Sequence, residues 1–145
     1  MKKVTIYTDG ACSGNPGAGG WGAVLRFQDK EKEIFGYDPY STNQKMELTA
    51  ALQALTLLKE PCEIALHSDS AYLIRGFTEH WVDNWEKNGW KNSKKEPVAN
   101  QDLWKALIKE NNRHTIKWVK VKGHSDNELN NRCDTLATDA IKNNK

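Results

Sequence analysis

Residues 44–59 carry a helical period between segments that alternate like strands, and this change of period limits the fold more than any other feature of the chain. Glu47, Ala50, Ala51, Ala54 and Leu58 recur at the spacing of one helical face. Pro61 blocks continuation, and 63–67 then reads as a short apolar strand. A helix joining two strands of one sheet is a crossover, which sets those strands parallel. Upstream, 3–9 alternates Val4 and Ile6 with Thr5 and Tyr7 as a strand does, and ends at Asp9. The stretch 14–20, rich in glycine and proline, reads as a turn, and 21–27 and 32–37 as two more strands. The short polar link 28–31 suits only antiparallel neighbours. Antiparallel strands followed by a parallel crossover require a mixed sheet.

Downstream, 69–77 and 80–87 read as short helices and 89–99 as a polar loop. Asn100 is placed to cap a helix reaching 110, and 115–121 is a strand. The last helix, 127–142, turns Leu129, Cys133, Leu136, Ala137 and Ala140 inward. With no linker or repeat, the expectation is one α/β domain over residues 1–145.

Composition narrows the function classes. Charged residues make up 28% and hydrophobic ones 38%, a globular profile, and no apolar run approaches the ~20 residues of a membrane span. The basic start lacks the apolar stretch of a signal peptide, so a cytoplasmic location is expected. Cys12, Cys62 and Cys133 are odd in number and dispersed, which fits free thiols in a reducing compartment. A net charge of only +2 means that a nucleic-acid partner would need a local patch. One candidate patch interleaves Trp81, Trp85 and Trp90 with Lys87, Lys91, Lys94 and Lys95, diluted by Asp83, Glu86 and Glu96. Aromatics among lysines suit nucleic acid, but for Trp85 and Trp90 the favoured reading is that they pack the protrusion while the lysines are solvated.

Chemistry is signalled by carboxylates. Asp9 and Asp69 each end a strand beside a small residue, where ligands of open α/β sheets bind. If the strands are parallel neighbours the two groups converge, and at ~4 Å and an effective dielectric near 20 they repel by about 4 kcal/mol. A divalent cation or a held proton relieves such a pair. Glu47 lies on the alanine-rich face of its helix. It either points at the sheet, where a buried charge needs a metal or a partner, or reaches solvent from the edge of the stripe. Asp134 flanks the core stripe of the last helix, or lies on a solvated face of it. Oxygen-only donors suit Mg²⁺ or Mn²⁺ rather than zinc.

Five separated motifs then agree: Thr8-Asp9-Gly10-Ala11, the run from Gly17 to Gly22, Asn43 to Leu48, Ser68-Asp69-Ser70, and Gly123-His124 with Asn130 to Asp134. In order and over essentially the whole chain, they resemble type I ribonuclease H of the bacterial kind. The resemblance implies a five-stranded mixed sheet flanked by helices. It also implies cleavage of the RNA strand of RNA–DNA hybrids by a monomer, with two Mg²⁺ ions, or Mn²⁺ in their place, leaving a 5′-phosphate. By that resemblance Asp9, Glu47, Asp69 and Asp134 are metal-binding acids, and His124 is an auxiliary catalytic group. Asn15, Asn43 and Gln44 would contact the RNA strand, although Asn15 is also explained as a turn residue before Pro16. Thr42 and Asn100 would form a phosphate pocket for the DNA strand, with Tyr72 and Trp81 as further substrate contacts. The chain has Tyr40 where many relatives carry arginine, which bears on the strength of that pocket.

Other signals lead elsewhere. Gly17, Gly19 and Gly22 satisfy a dinucleotide pattern, but a strand follows where a helix is required. These glycines are expected to permit a hairpin and close approach of substrate. His67, His80 and His114 have no ligand spacing. Two rival functions are a nuclease or strand-transfer enzyme of the same fold acting on DNA, and a hybrid-binding module without catalysis. Asn43 and Gln44 and the lysine–tryptophan segment count against the first, and four metal-placing acids against the second.

Overall fold

The computed structural model describes residues 1–122 and 127–144. In chain order the elements are β1 (Lys2–Gly14), β2 (Gly17–Phe27), β3 (Lys30–Ser41), α1 (Asn43–Leu57) and β4 (Cys62–Ser68). They continue with α2 (Ala71–Thr78), α3 (Trp81–Asn88), α4 (Gln101–Arg113), β5 (Thr115–Lys120) and α5 (Glu128–Lys142). The five strands form one sheet in the order β3-β2-β1-β4-β5. β1 is antiparallel to β2 and β2 to β3, while β1 is parallel to β4 and β4 to β5. The expected mixed sheet is therefore present, its parallel half created by the α1 crossover into β4 and by α2 to α4 between β4 and β5.

Two expectations are corrected. Residues 14–20 are not one turn: only Asn15 and Pro16 lie between the strands, and 17–20 belong to β2. Asp9 does not end its strand, because β1 runs on to Gly14. Instead the parallel ladder with β4 stops at the pair Thr8–Ser68, and beyond it β1 continues against β2 alone. The second half of the strand lacks the β-branched residues that mark the first; glycines replace them where helices press on the sheet.

Alternate residues of β2 face opposite layers. A Cβ on Gly19 would meet the Met46 side chain of α1, whereas one on Gly22 would lie 2.6 Å from Leu136 Cβ and 2.8 Å from the Cys133 carbonyl of α5. Gly17 serves the expected hairpin, where a Cβ would run into the Ser13 carbonyl, while Gly19 and Gly22 admit helices. The main core fills the α1 side, where Ile6, Leu48, Leu55, Leu66, Leu73, Trp104 and Leu107 are buried. A smaller cluster of Val24, Leu129 and Cys133 lies under α5.

Arg113 and Glu110 close the end of α4 against α1. Arg113 donates to the Leu55 and Leu58 carbonyls, at 3.0 and 2.8 Å, and to Glu110 Oε1 at 2.7 Å. It thereby adds to the bonding of carbonyls at the end of α1, where Leu55 also accepts from the Leu58 N–H at 3.3 Å. All three cysteines are free. Among the described residues no helix is long and apolar enough to cross a membrane.

Candidate active site

Four elements deliver the acids to one place. Asp9 comes from β1 just past the end of the parallel ladder, and Asp69 follows β4 immediately. Glu47 stands in the first turns of α1, brought close because Gly10 has no side chain: a Cβ there would lie 2.5 Å from the Glu47 backbone nitrogen. Carboxylate oxygens of Asp9, Glu47 and Asp69 all lie within 4.8 Å of one another. Asp134 reaches the same cleft, of about 260 Å³, from α5, with Gly10, Asn43, Asn130 and Asn131 completing the lining. The solvated alternatives for Glu47 and Asp134 are thereby set aside.

The cluster is electrostatically incomplete. Burial, then the Asp69 and Asp134 carboxylates, push Asp9 up to about 8, and the Gly10 N–H, 2.9 Å from Oδ1, only partly offsets this. Burial, followed by repulsion from Asp9 and Asp69, holds Glu47 well above the usual carboxylate range. Glu47 is half-buried as a residue, yet its Oε2 is buried and has no hydrogen-bond partner. An orphaned carboxylate oxygen among like charges, in an oxygen-only donor set, fits a hard divalent cation.

The chain's similarities agree with this geometry. The RNase H family profile matches residues 1–142. The chain belongs to the ribonuclease H family. A ribonuclease H of Acetivibrio thermocellus is 63% identical over 144 residues, 99% of this chain and 98% of that one. A ribonuclease H of Moorella thermoacetica is 62% identical, over 97% of this chain and 93% of its own length. Among solved structures, LC9-RNase H1, described as a type 1 RNase H with the type 2 active-site motif, superposes with a TM-score of 0.87. It is 26% identical, with all of this chain and 74% of that chain covered.

The ribonuclease H framework also sorts the other residues singled out from sequence. Asn15, Thr42 and Asn43 converge at the start of α1. Asn15 Oδ1 accepts from the Asn43 N–H at 3.0 Å, and Thr42 Oγ1 caps the helix by accepting from Lys45 N at 3.1 Å. Gln44 is exposed beside them, and Tyr40 is 70% exposed just upstream. Asn15 is therefore both a turn residue and a tether.

Tyr72, Trp81 and Asn100 form a second group. Tyr72 Oη accepts from Asn100 Nδ2 at 3.3 Å and from Trp104 Nε1 at 3.0 Å, and its ring lies 6.4 Å from that of Trp81. Asn100 holds the N-cap position of α4 but its side chain makes no capping bond, so the expected cap is corrected. Its left-handed backbone (φ 59°) accompanies a side chain turned to Tyr72.

Trp85 packs edge-on against Trp104, with centroids 5.3 Å apart, and Trp90 lies 5.9 Å from Trp85. Both are packed into the protrusion, while Lys87, Lys91, Lys94 and Lys95 are exposed. His114 is buried, with Nδ1 accepting from Cys62 N, His67 stacks on Tyr7, and His80 is exposed beside Asp83. His124 lies outside the described residues.

Asn130 and Asn131 join the cleft although the sequence motif that contains them assigns neither a role. The available signal was spacing: Asn130 precedes Asp134 by four residues and so shares its helical face.

Proposed function

We propose that this ribonuclease H-family chain hydrolyses the RNA strand of RNA–DNA hybrids endonucleolytically, leaving 5′-phosphate and 3′-hydroxyl ends. The observation that carries the reading is the convergence of Asp9, Glu47 and Asp69, with Asp134 in the same cleft. Two Mg²⁺ ions, for which Mn²⁺ can substitute, would be held by these four carboxylates. When bound, the ions neutralise charge on the phosphodiester and lower the pKa of water at the site. The acids fix where that charge sits, so the length of each side chain matters as much as its sign.

The attacking group is water, which displaces the 3′ oxygen from phosphorus; the departing oxygen takes a proton. A 2′-hydroxyl is not consumed, so choice of the RNA strand rests on binding. Asn43, which lines the acidic cleft, and the exposed Gln44 beside it would read that hydroxyl together with Asn15. Thr42, Tyr72, Trp81 and Asn100 are assigned to the DNA strand, and His124 to proton movement near neutrality. The chain is taken to act as a cytoplasmic monomer.

The test is cleavage of hybrid, duplex DNA and duplex RNA, each strand labelled in turn, with Mg²⁺ or with chelator. The expected outcome is cutting of the RNA strand of the hybrid alone, only with metal, and 5′-phosphate on the product. Cutting of duplex DNA at a comparable rate would contradict it.

A further inference from the structure

We propose that Tyr7 is a positioning residue for the acidic cleft. Its hydroxyl, acting through Asn127, sets where α5 begins and so the level at which Asn130 and Asp134 enter the site. This rests on the hydrolytic reading above and adds to it a residue that does not line the cleft.

Tyr7 stands two residues before Asp9 on β1 and therefore on the same side of that strand. Its ring stacks on His67 of β4, with centroids 4.3 Å apart and planes 6° from parallel. The His67 Nδ1 lies 3.2 Å from the Ile6 carbonyl, which holds the lower ring of the stack in turn. Tyr7 Oη accepts a hydrogen bond from Asn127 Nδ2 at 3.1 Å. The same Asn127 caps α5, its Oδ1 accepting from the Asn130 N–H at 3.1 Å. The Tyr7 carbonyl accepts from Cys133 Sγ, also at 3.1 Å. One β1 residue thus holds α5 both at its cap and beside Asp134.

These bonds supply what the glycines cannot. Gly20 and Gly22 let α5 lie close to the sheet, but a smooth glycine track resists approach and separation more than sliding along the helix axis. The bond from Tyr7 to the cap is an axial stop. Asp134 faces Asp9 across the cleft, and a misplacement of ~1 Å in a catalytic constellation costs on the order of 10²-fold in rate. Filling the space under α5 needs only the ring, so the hydroxyl is free to act at the cap end, while Arg132 pairs with Glu31 and Glu33 of β3 farther along the helix.

The experiment compares the parent with Tyr7→Phe, Asn127→Ser and the double variant in Mg²⁺-supported hybrid cleavage, with Tm measured alongside. Tyr7→Phe keeps the stack on His67, and Asn127→Ser keeps a capping oxygen that is too short to reach Tyr7. Tyr7→Phe is expected to lower kcat roughly 3- to 10-fold, the scale of one hydrogen bond, with KM within about twofold of the parent. Asn127→Ser should lower kcat by a similar factor, and the double variant should be no slower than the slower single one. A Tyr7→Phe variant with parental kcat, whatever its Tm, overturns the positioning role while leaving the hydrolytic reading intact. Fully multiplicative losses in the double variant overturn the shared path through Asn127. A parent that leaves hybrid uncut overturns both readings.

Discussion

Asp9 shows how one residue's surroundings become a measurable property. Its carboxyl is raised to about 8 by burial and by Asp69 and Asp134, so without metal it favours the protonated form through neutral pH. A carboxyl whose folded pKa lies above its unfolded one contributes stability below the unfolded value that is lost as pH rises through the folded value. In chelator, the Tm of the parent relative to Asp9→Asn should therefore fall as pH rises from about 4 to about 8. A difference independent of pH over that window would contradict the burial of this charge. Asp69→Asn removes a repelling neighbour, so in chelator its Tm should equal or exceed the parent's while cleavage in Mg²⁺ is lost; a lower Tm with near-parental turnover would remove Asp69 from the metal set. Asp69 was legible at the end of a strand and Glu47 on an alanine-rich helical face, whereas Asp9 lies where the parallel ladder stops and not where its strand ends. The approach of Asp134 to the same cleft as Asp9 was not legible, since it depends on how α5 docks, which no local pattern encodes.

Element by element, periodicity places the helices to within a few residues, and the strands only where β-branched residues alternate. The second half of β1 and the start of β2 carry turn-like sequence because Gly14 and Gly17 make the hairpin while Gly10, Gly19, Gly20 and Gly22 admit α1 and α5. That makes the glycines sensitive positions. Gly22→Ala places a methyl 2.6 Å from Leu136 Cβ and 2.8 Å from the Cys133 carbonyl, and lifts the helix carrying Asp134. The expected outcome is a loss of about 1–3 kcal/mol in stability, with kcat reduced in the folded fraction. Denaturant unfolding and active-site turnover check the two effects separately. Arg113→Ala acts at the opposite end of α1, leaving Glu110 buried without its partner and removing the bonds that Arg113 makes to the Leu55 and Leu58 carbonyls. A loss of about 2–4 kcal/mol, with kcat per folded molecule unchanged, is expected. Parental unfolding midpoints would show that the clamp adds nothing.

Over the whole molecule, a nearly balanced charge of +2 conceals a polarised arrangement: four acids in one cleft, and Lys87, Lys91, Lys94 and Lys95 exposed on the protrusion. Replacing those four lysines by alanine should raise KM for hybrid and leave kcat little changed. The salt slope of binding should shrink by ~0.9 for every phosphate that the lysines no longer neutralise, taking a B-like duplex as the reference. An unchanged KM at low salt would make the protrusion a solvated surface. The overall topology follows from two hairpins and two helical crossovers, and the packing of Trp85 and Trp90, the reading their sequence already favoured, is what the structure shows. The acidic cleft is where residue, element and molecule meet, and Glu47, with its orphaned Oε2, is its most exacting member. Single-turnover cleavage of a hybrid with labelled RNA, by the parent and by Glu47→Gln in Mg²⁺, tests the cleft most directly. The account predicts cutting of RNA by the parent and none by Glu47→Gln, with hybrid binding in chelator equal for the two. Cleavage by Glu47→Gln at the parental rate would contradict it.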